Sequence, residues 1–381
     1  MDNGYRYLVL GTGVGKAIAY LLATFEDTCC VTITDERFGR ALEVSDQLQK
    51  LVNKAFIPFE FNVERDMSFL IESHDVVISA LPARFNDRLA ALALGAGVHF
   101  CDLGGVLDVT DRILKIPVPK GKESVSIITD CGLMPGLGMM LSQGLIDHLD
   151  RTESVEILVG GIPQRPRPPV FYQRVFSLEG LKHLCYDPAP VLANYEVSTV
   201  ERFSDHETMT VSELAGYANE TGQIEVFVTP GAARTPWTFQ KQGLKSFRER
   251  TVRHPGFVDF VRNIPPEKFE EAIGPHINIP VNAENPDLVW MRVLANGIRS
   301  GVATQVSYTL LDRFDERTGF TAMERTTGFT TAVIARMMVK GETRPGINTS
   351  ECALTAEQFG LFLSDTRMIF PDLRFNSRVI G

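Results

Sequence analysis

The sequence predicts an α/β protein, a Rossmann-type doubly wound parallel sheet followed by a second α/β domain with a mixed sheet. Three observations carry that expectation. The apolar run Tyr7-Leu8-Val9-Leu10 meets Gly11-Thr12-Gly13-Val14-Gly15 and then a helical start of small residues. A dinucleotide-binding βαβ unit opens this way, because glycines let a pyrophosphate approach the backbone at the positive end of the next helix. The next apolar stretch, Val31-Thr32-Ile33-Thr34, ends in Asp35, about twenty residues past the glycines, where a carboxylate accepts hydrogen bonds from the adenosine ribose. Strand and helix patterns then alternate as far as residue 129.

Each element follows from its local pattern. Leu42, Leu48, Leu51 and Val52 give helical spacing over 40–54, a short strand is expected at 55–61, and a helix centres on 67–72. Asp75-Val76-Val77-Ile78-Ser79-Ala80 reads as a buried parallel strand that Leu81-Pro82 stops. A helix is expected at 86–96, then strands at 98–103 and 125–129. Ligands of such sheets lie beyond the carboxyl ends of the strands, and Asp35, Ser79, Asp102 and Cys131 all fall at or just after such ends. The expected cofactor site is Gly11, Thr12, Gly13, Val14 and Gly15 with Asp35, and Ser79, Ala80, Leu81 and Pro82 beside the ribose and nicotinamide.

The glycine loop departs from G-x-G-x-x-G by one residue, with Lys16 at the third glycine's place, where it could add a charge for the phosphates. An ordinary strand-to-helix turn is the alternative. Asp35 would repel a 2′-phosphate and so favours NAD, while Arg37 could bind one, which leaves NADP open.

The bulk properties exclude several classes. The 381 residues suffice for two domains with real cores. A net charge of -9 without a basic block argues against nucleic acid or anionic membrane as partner. No apolar run reaches membrane-spanning length, and the strand expected at the N-terminus leaves no room for a signal peptide. The six cysteines lie without a C-x-x-C pair, as expected of reduced thiols in a cytoplasmic protein. The seven histidines show no metal-ligand spacing, and Asp205-His206-Glu207 reads as a solvated loop. From about residue 150 strand-like runs such as 155–159, 289–294 and 301–311 alternate with turns, giving the mixed sheet. The proline-dense 162–169 reads as a stiff loop, and 330–339 as a helix.

With these residues in hand the chain resembles the saccharopine dehydrogenase family, and its lysine 6-dehydrogenase branch most. The resemblance rests on Val98-His99-Phe100-Cys101-Asp102-Leu103-Gly104-Gly105, Cys131-Gly132-Leu133-Met134-Pro135-Gly136, Val159-Gly160-Gly161-Ile162-Pro163 and Phe176-Ser177-Leu178-Glu179-Gly180-Leu181. Arg253-His254-Pro255-Gly256 joins them, with histidine where the family's R-Y-x-G has tyrosine. The resemblance implies a dinucleotide domain at 1–129, a substrate and dimerisation domain at 130–321, and a return to the first domain at 322–381. It also implies a homodimer or higher homo-oligomer, and a nicotinamide-dependent oxidation of an amine on a small amino-acid substrate. Lysine, deaminated at C6, is the first substrate, and saccharopine or carboxynorspermidine the alternative. A non-catalytic dinucleotide-binding sensor is the reading from another class.

Within that frame the chemistry falls to a few side chains. Asp102 would hold a substrate ammonium or take its proton, unless it merely caps the Gly104-Gly105 turn. Cys131 would titrate or pack. A substrate α-carboxylate calls for arginine, and Arg253, Arg174 and Arg165 are the candidates, with Arg253 first. The arginines at 165 and 167 keep a second carboxylate open. His254 could share the acid/base role, and Tyr172 could wall the pocket.

Overall fold

The computed structural model describes residues 4–65, 67–217 and 219–380. Its strands are β1 (Tyr5–Leu10), β2 (Thr28–Asp35), β3 (Phe56–Glu60), β4 (Val76–Ser79), β5 (His99–Asp102), β6 (Ser126–Thr129), β7 (Arg151–Pro163) and β8 (Ala189–Ala193). There follow β9 (Glu196–Val200), β10 (Glu207–Thr210), β11 (Gln223–Val228), β12 (Ser246–Arg253), β13 (Asp287–Arg299), β14 (Val302–Arg313), β15 (Gly346–Thr349) and β16 (Arg374–Val379). The chain forms two compact units, Met1–Met140 with Glu324–Ile369, and Leu141–Met323 with Phe370–Gly381.

The first unit is the doubly wound sheet, in the order β15-β6-β5-β4-β1-β2-β3 with every neighbour parallel. Its central strands are continuous apolar runs because helices cover both faces; Tyr7 to Leu10 and Val76 to Ile78 are fully buried. The sequence reading stops the sheet at residue 129. The structure adds β15, whose Gly346-Ile347-Asn348-Thr349 is too polar and short to announce a strand. It also adds a helix, Leu107–Ile113, after β5.

The second unit is a mixed sheet in the order β10-β11-β12-β7-β13-β14-β16, with a β8–β9 hairpin joined to β12. Here β12 runs parallel to β7, and the remaining pairings are antiparallel. The family resemblance sends all of 322–381 back to the first domain. The ladder of β16 with β14, from Thr304↔Val379 to Thr309↔Arg374, instead places the last strand in the second unit. Among the described residues no helix is long and apolar enough to cross a membrane, and no group of three His, Cys, Asp or Glu could hold a metal ion.

Candidate active site

The glycine loop is shaped by packing at two positions and left open at a third. Gly11 has φ +98°, and a Cβ there would lie 3.0 Å from the Ala80 carbonyl oxygen. A Cβ on Gly15, the first residue of α1 (Gly15–Thr24), would lie 3.0 Å from Val9 Cγ1. At Gly13 an added Cβ meets nothing within 4 Å, so space remains above the backbone where a phosphate would approach. In the first turn of α1 the Lys16 amide donates to the Gly13 carbonyl at 3.3 Å, and the Ala17 and Ile18 amides to the Val14 carbonyl at 3.0 and 3.3 Å, so it is the loop ahead of them that faces the open space. The loop, though one residue short, therefore fits a pyrophosphate.

Around it the expected side chains take definite places. Asp35 ends β2; its Oδ2 accepts from Thr12 Oγ1 at 2.6 Å and its Oδ1 from the Arg37 amide at 3.1 Å. Ser79 points inward, donating to Asn86 Oδ1 at 2.7 Å, so its hydroxyl anchors the helix Asn86–Ala96. Ala80 and Leu81 pack against Gly11, and the Pro82 carbonyl accepts from Phe85 N at 3.1 Å to start a single 3₁₀ turn. Lys16 is engaged by the protein itself. Its Nζ pairs with Glu324 at 2.8 Å, on the helix Ala322–Val339 that packs Gly328 against Ala17 and Val14.

Asp102 and Cys131 also belong to this unit, and both are sealed. The Asp102 carboxylate is wholly buried and accepts from Thr129 Oγ1 at 3.1 Å and from the Asp130 amide at 3.1 Å. Burial lifts its pKa to about 6. Next to it Asp130, at φ +65°, accepts from the Gly105 amide at 3.2 Å and from Thr110 Oγ1 at 3.1 Å. Burial first, then the nearby Asp102 and Glu351 carboxylates, raises Asp130 well above the ordinary carboxylate range. The Gly104-Gly105 turn thus wraps Asp130, and Asp102 holds the backbone that presents it. Of the two roles open to Asp102, the geometry gives the cap, with no lone-pair direction left toward solvent. Cys131 is fully buried, donates to the Ile128 carbonyl at 3.5 Å, and has its thiol pKa pushed up by burial, so it packs rather than titrates. Gly132 and Gly136 serve the backbone: a Cβ on Gly136 would lie 2.0 Å from the Gly132 carbonyl oxygen.

In the second unit β12 ends in Arg253, and His254 follows it. Arg253 is 2% exposed, and its guanidinium lies over the rings of Tyr172, at 4.8 Å, and Phe257, at 5.5 Å. One N–H, on Nη1, donates to the Val252 carbonyl at 2.7 Å, while the buried Nε has no partner among the described residues. The Tyr172 hydroxyl is likewise buried without one, and burial raises its pKa to about 12. His254 Nε2 lies 2.8 Å from the Pro163 carbonyl. A carbonyl can only accept, so the proton sits on Nε2 and Nδ1 keeps the lone pair. Burial pushes the His254 pKa below its ordinary value, which keeps the ring neutral.

The remaining arginines divide. Arg165 Nη1 donates to the Glu284 carbonyl at 2.9 Å and Arg167 Nη2 to Asn285 Oδ1 at 2.6 Å, so both fasten the proline-rich loop to the 282–285 turn. The exposed Arg174 uses its backbone N–H on the Ile277 carbonyl at 2.9 Å, and its guanidinium has no partner among the described residues.

Among the buried carboxylates that escaped the sequence reading are Glu225 and Glu249. Glu225 accepts from Val258 N at 2.7 Å and pairs with His206 at 3.1 Å, fixing the turn that follows His254. Glu249 accepts from Thr229 Oγ1 at 2.6 Å, and burial raises its pKa to about 8. The legible signal was a glutamate inside an apolar strand, as in Gln223-Ile224-Glu225-Val226-Phe227-Val228. The segment Asp205-His206-Glu207 is solvated at both acids, as expected, although Glu207 already opens β10; Asp205 pairs with Arg248 at 2.8 Å and Glu207 with Arg250.

Residues 7–122 match the family model of the saccharopine dehydrogenase NADP binding domain. Over that stretch, less than half of the chain, the protein is similar to the nucleotide-binding domain of the saccharopine dehydrogenase family. Over 253 residues it is 26% identical to the mitochondrial alpha-aminoadipic semialdehyde synthase of Bos taurus, a match covering 61% of this chain and 26% of that protein. The Mus musculus protein of the same name is 27% identical over 212 residues, 52% of this chain and 22% of that protein. The matched stretch is thus about a quarter of the length of these relatives. The apo saccharopine dehydrogenase (L-Glu forming) of Saccharomyces cerevisiae superposes with a TM-score of 0.75, over 99% of this chain and 100% of that one, at 14% identity. The matched domain is an NADP binding domain, which supports a nicotinamide dinucleotide, NAD or NADP, as cofactor.

Proposed function

We propose that the protein is a nicotinamide-dependent oxidoreductase acting on the CH–NH group of an amino acid, and that it deaminates L-lysine at the 6-amino group to the semialdehyde. The observation that carries the reading is Arg253, a buried cation between two aromatic faces with an N–H left over. A guanidinium in that state suits the planar α-carboxylate of an amino acid, which would supply the missing acceptor. Bound nicotinamide supplies the hydride acceptor. The hydride would come from C6–H of lysine, and water would then hydrolyse the imine to the semialdehyde and release ammonia, while the chain's own residues bind the substrate and take its proton. Arg253 would hold the carboxylate, and the Tyr172 and Phe257 rings would keep water from it. His254 would take the amine proton at Nδ1, its Nε2–H staying on Pro163. Asp102 and Cys131 hold the backbone next to Gly104 and Gly132 and exchange no proton with substrate.

The second reading is a saccharopine dehydrogenase. It is favoured by the similarity to alpha-aminoadipic semialdehyde synthase and to a saccharopine dehydrogenase, and the free guanidinium of Arg174 could take a second carboxylate. The two readings meet chemically, since α-aminoadipic semialdehyde is lysine with its C6 at the aldehyde level. Nicotinamide reduction by the purified protein, with NAD and NADP separately, against lysine, saccharopine, ornithine and carboxynorspermidine separates them. Turnover of lysine supports the first and turnover of saccharopine alone the second. Dinucleotide binding with no turnover across the panel would turn the reading toward a sensor. Where turnover occurs, an acidic limb with a pKa below the ordinary histidine value is expected, and it should vanish in His254→Asn.

A further inference from the structure

We propose that Thr12 sets the cofactor preference of the dinucleotide site, by holding Asp35 so that a 2′-phosphate is tolerated. This rests on the reading of the glycine loop as a nicotinamide dinucleotide site. A carboxylate at the end of the second strand disfavours a 2′-phosphate when its oxygens face the ribose. In this chain both oxygens are engaged by the protein itself. Thr12 Oγ1 donates to Oδ2 at 2.6 Å, a short charge-assisted bond, and the Arg37 amide donates to Oδ1 at 3.1 Å.

Exposure separates the two charges. The Asp35 side chain is 20% exposed and the Arg37 side chain 83%, with Arg37 Nε 4.0 Å from Asp35 Oδ1. The carboxylate is therefore turned inward and partly neutralised, while the guanidinium stands outward, where a phosphate dianion would find a forked donor. Lys16 is not the cation for that phosphate, being paired with Glu324 at 2.8 Å. Thr12 is the one side chain among the described residues seen to hold Oδ2. Without its hydroxyl, Oδ2 is free to turn to the ribose and meet a 2′-phosphate with a full negative charge.

The test is direct titration of NAD and NADP into the full-length protein and its variants, with thermal unfolding as the check on folding. The wild type is expected to bind both dinucleotides with dissociation constants within about tenfold of each other. Thr12→Val, which keeps the side-chain shape, should raise the NADP-to-NAD ratio of dissociation constants by about fivefold or more. Thr12→Ser should leave the ratio at its wild-type value, and Asp35→Asn added to Thr12→Val should reverse the shift. A ratio in Thr12→Val within about twofold of wild type overturns the proposal, and so does a wild type that binds NAD and rejects NADP. A wild type that binds neither dinucleotide refutes the dinucleotide reading itself, a result distinct from an unchanged ratio.

Discussion

Asp102 and Arg253 are both buried charges, one in each unit, yet their surroundings are built on opposite plans. Around Asp102 and Asp130 the chain provides the donors itself: the Thr129 and Thr110 hydroxyls and the amides of Asp130 and Gly105. Around Arg253 it provides two rings, one carbonyl, and nothing for Nε. An unpaired buried donor costs about 1–3 kcal/mol. Under the proposed function the difference would separate groups that fix the scaffold from a group that meets a ligand. Strand-end position alone does not make that separation.

The largest test of this contrast is Gly104→Ala. Gly104 has φ +67°, and its Cβ would lie 1.9 Å from Asp130 Oδ1. The loss should be about 3 kcal/mol or more in denaturant unfolding, with dinucleotide binding falling in step with folded protein. A variant of native stability would mean the turn is not wrapped on Asp130. Next comes Arg253→Met, expected to lower kcat/KM about 100-fold, near 2.7 kcal/mol, mostly through KM, with dinucleotide affinity unchanged. Stability should hold or rise, since the methionine leaves no orphan donor in an apolar pocket. A collapse in stability with KM intact would make Arg253 scaffold and remove the contrast.

The smallest effect concerns pH. Asp102 keeps its proton to about pH 6 in the fold, above the ordinary aspartate value of 3.8. The folded state binds the extra proton within that window, so this group's contribution to stability is lost as pH rises from about 4 to about 6. Asp130, raised further, extends the decline upward. Asp102→Asn should flatten the profile, gaining on the wild type by an amount on the order of 2 kcal/mol between those pH values. Parallel pH profiles of the two proteins would show that the carboxylate is ionised in the fold at low pH.

Much of the first unit was legible, because parallel strands buried on both faces leave continuous apolar runs. Val76-Val77-Ile78 and Phe100-Cys101 read correctly for that reason. β15 did not, since pairing with β6 at one edge needs backbone groups rather than apolar side chains. The cofactor residues were named by position, but their partners were not. The Thr12–Asp35 and Ser79–Asn86 bonds each join residues that only the fold brings together. Arg253 and His254 were found through a motif, whereas the burial that makes Arg253 interesting has no mark in sequence. Asp102 shows the converse. Its strand-end position looked reactive, and only the donors around it reveal a cap.

The return of the chain to the first unit has a consequence for synthesis. The Ser126 hydroxyl meets Thr343 across a sequence separation of 217, and Lys16 waits for Glu324. On the ribosome, the nucleotide-binding sheet therefore emerges with an open edge at β6, which stays unpaired until the whole second unit has been made. The nascent first unit is a half-built template through most of translation, exposed to pairing with foreign strands. A gene cut near residue 140 would not release an independent module. It would release an unfinished one, and the fragment 324–369 supplied separately is the piece that would finish it.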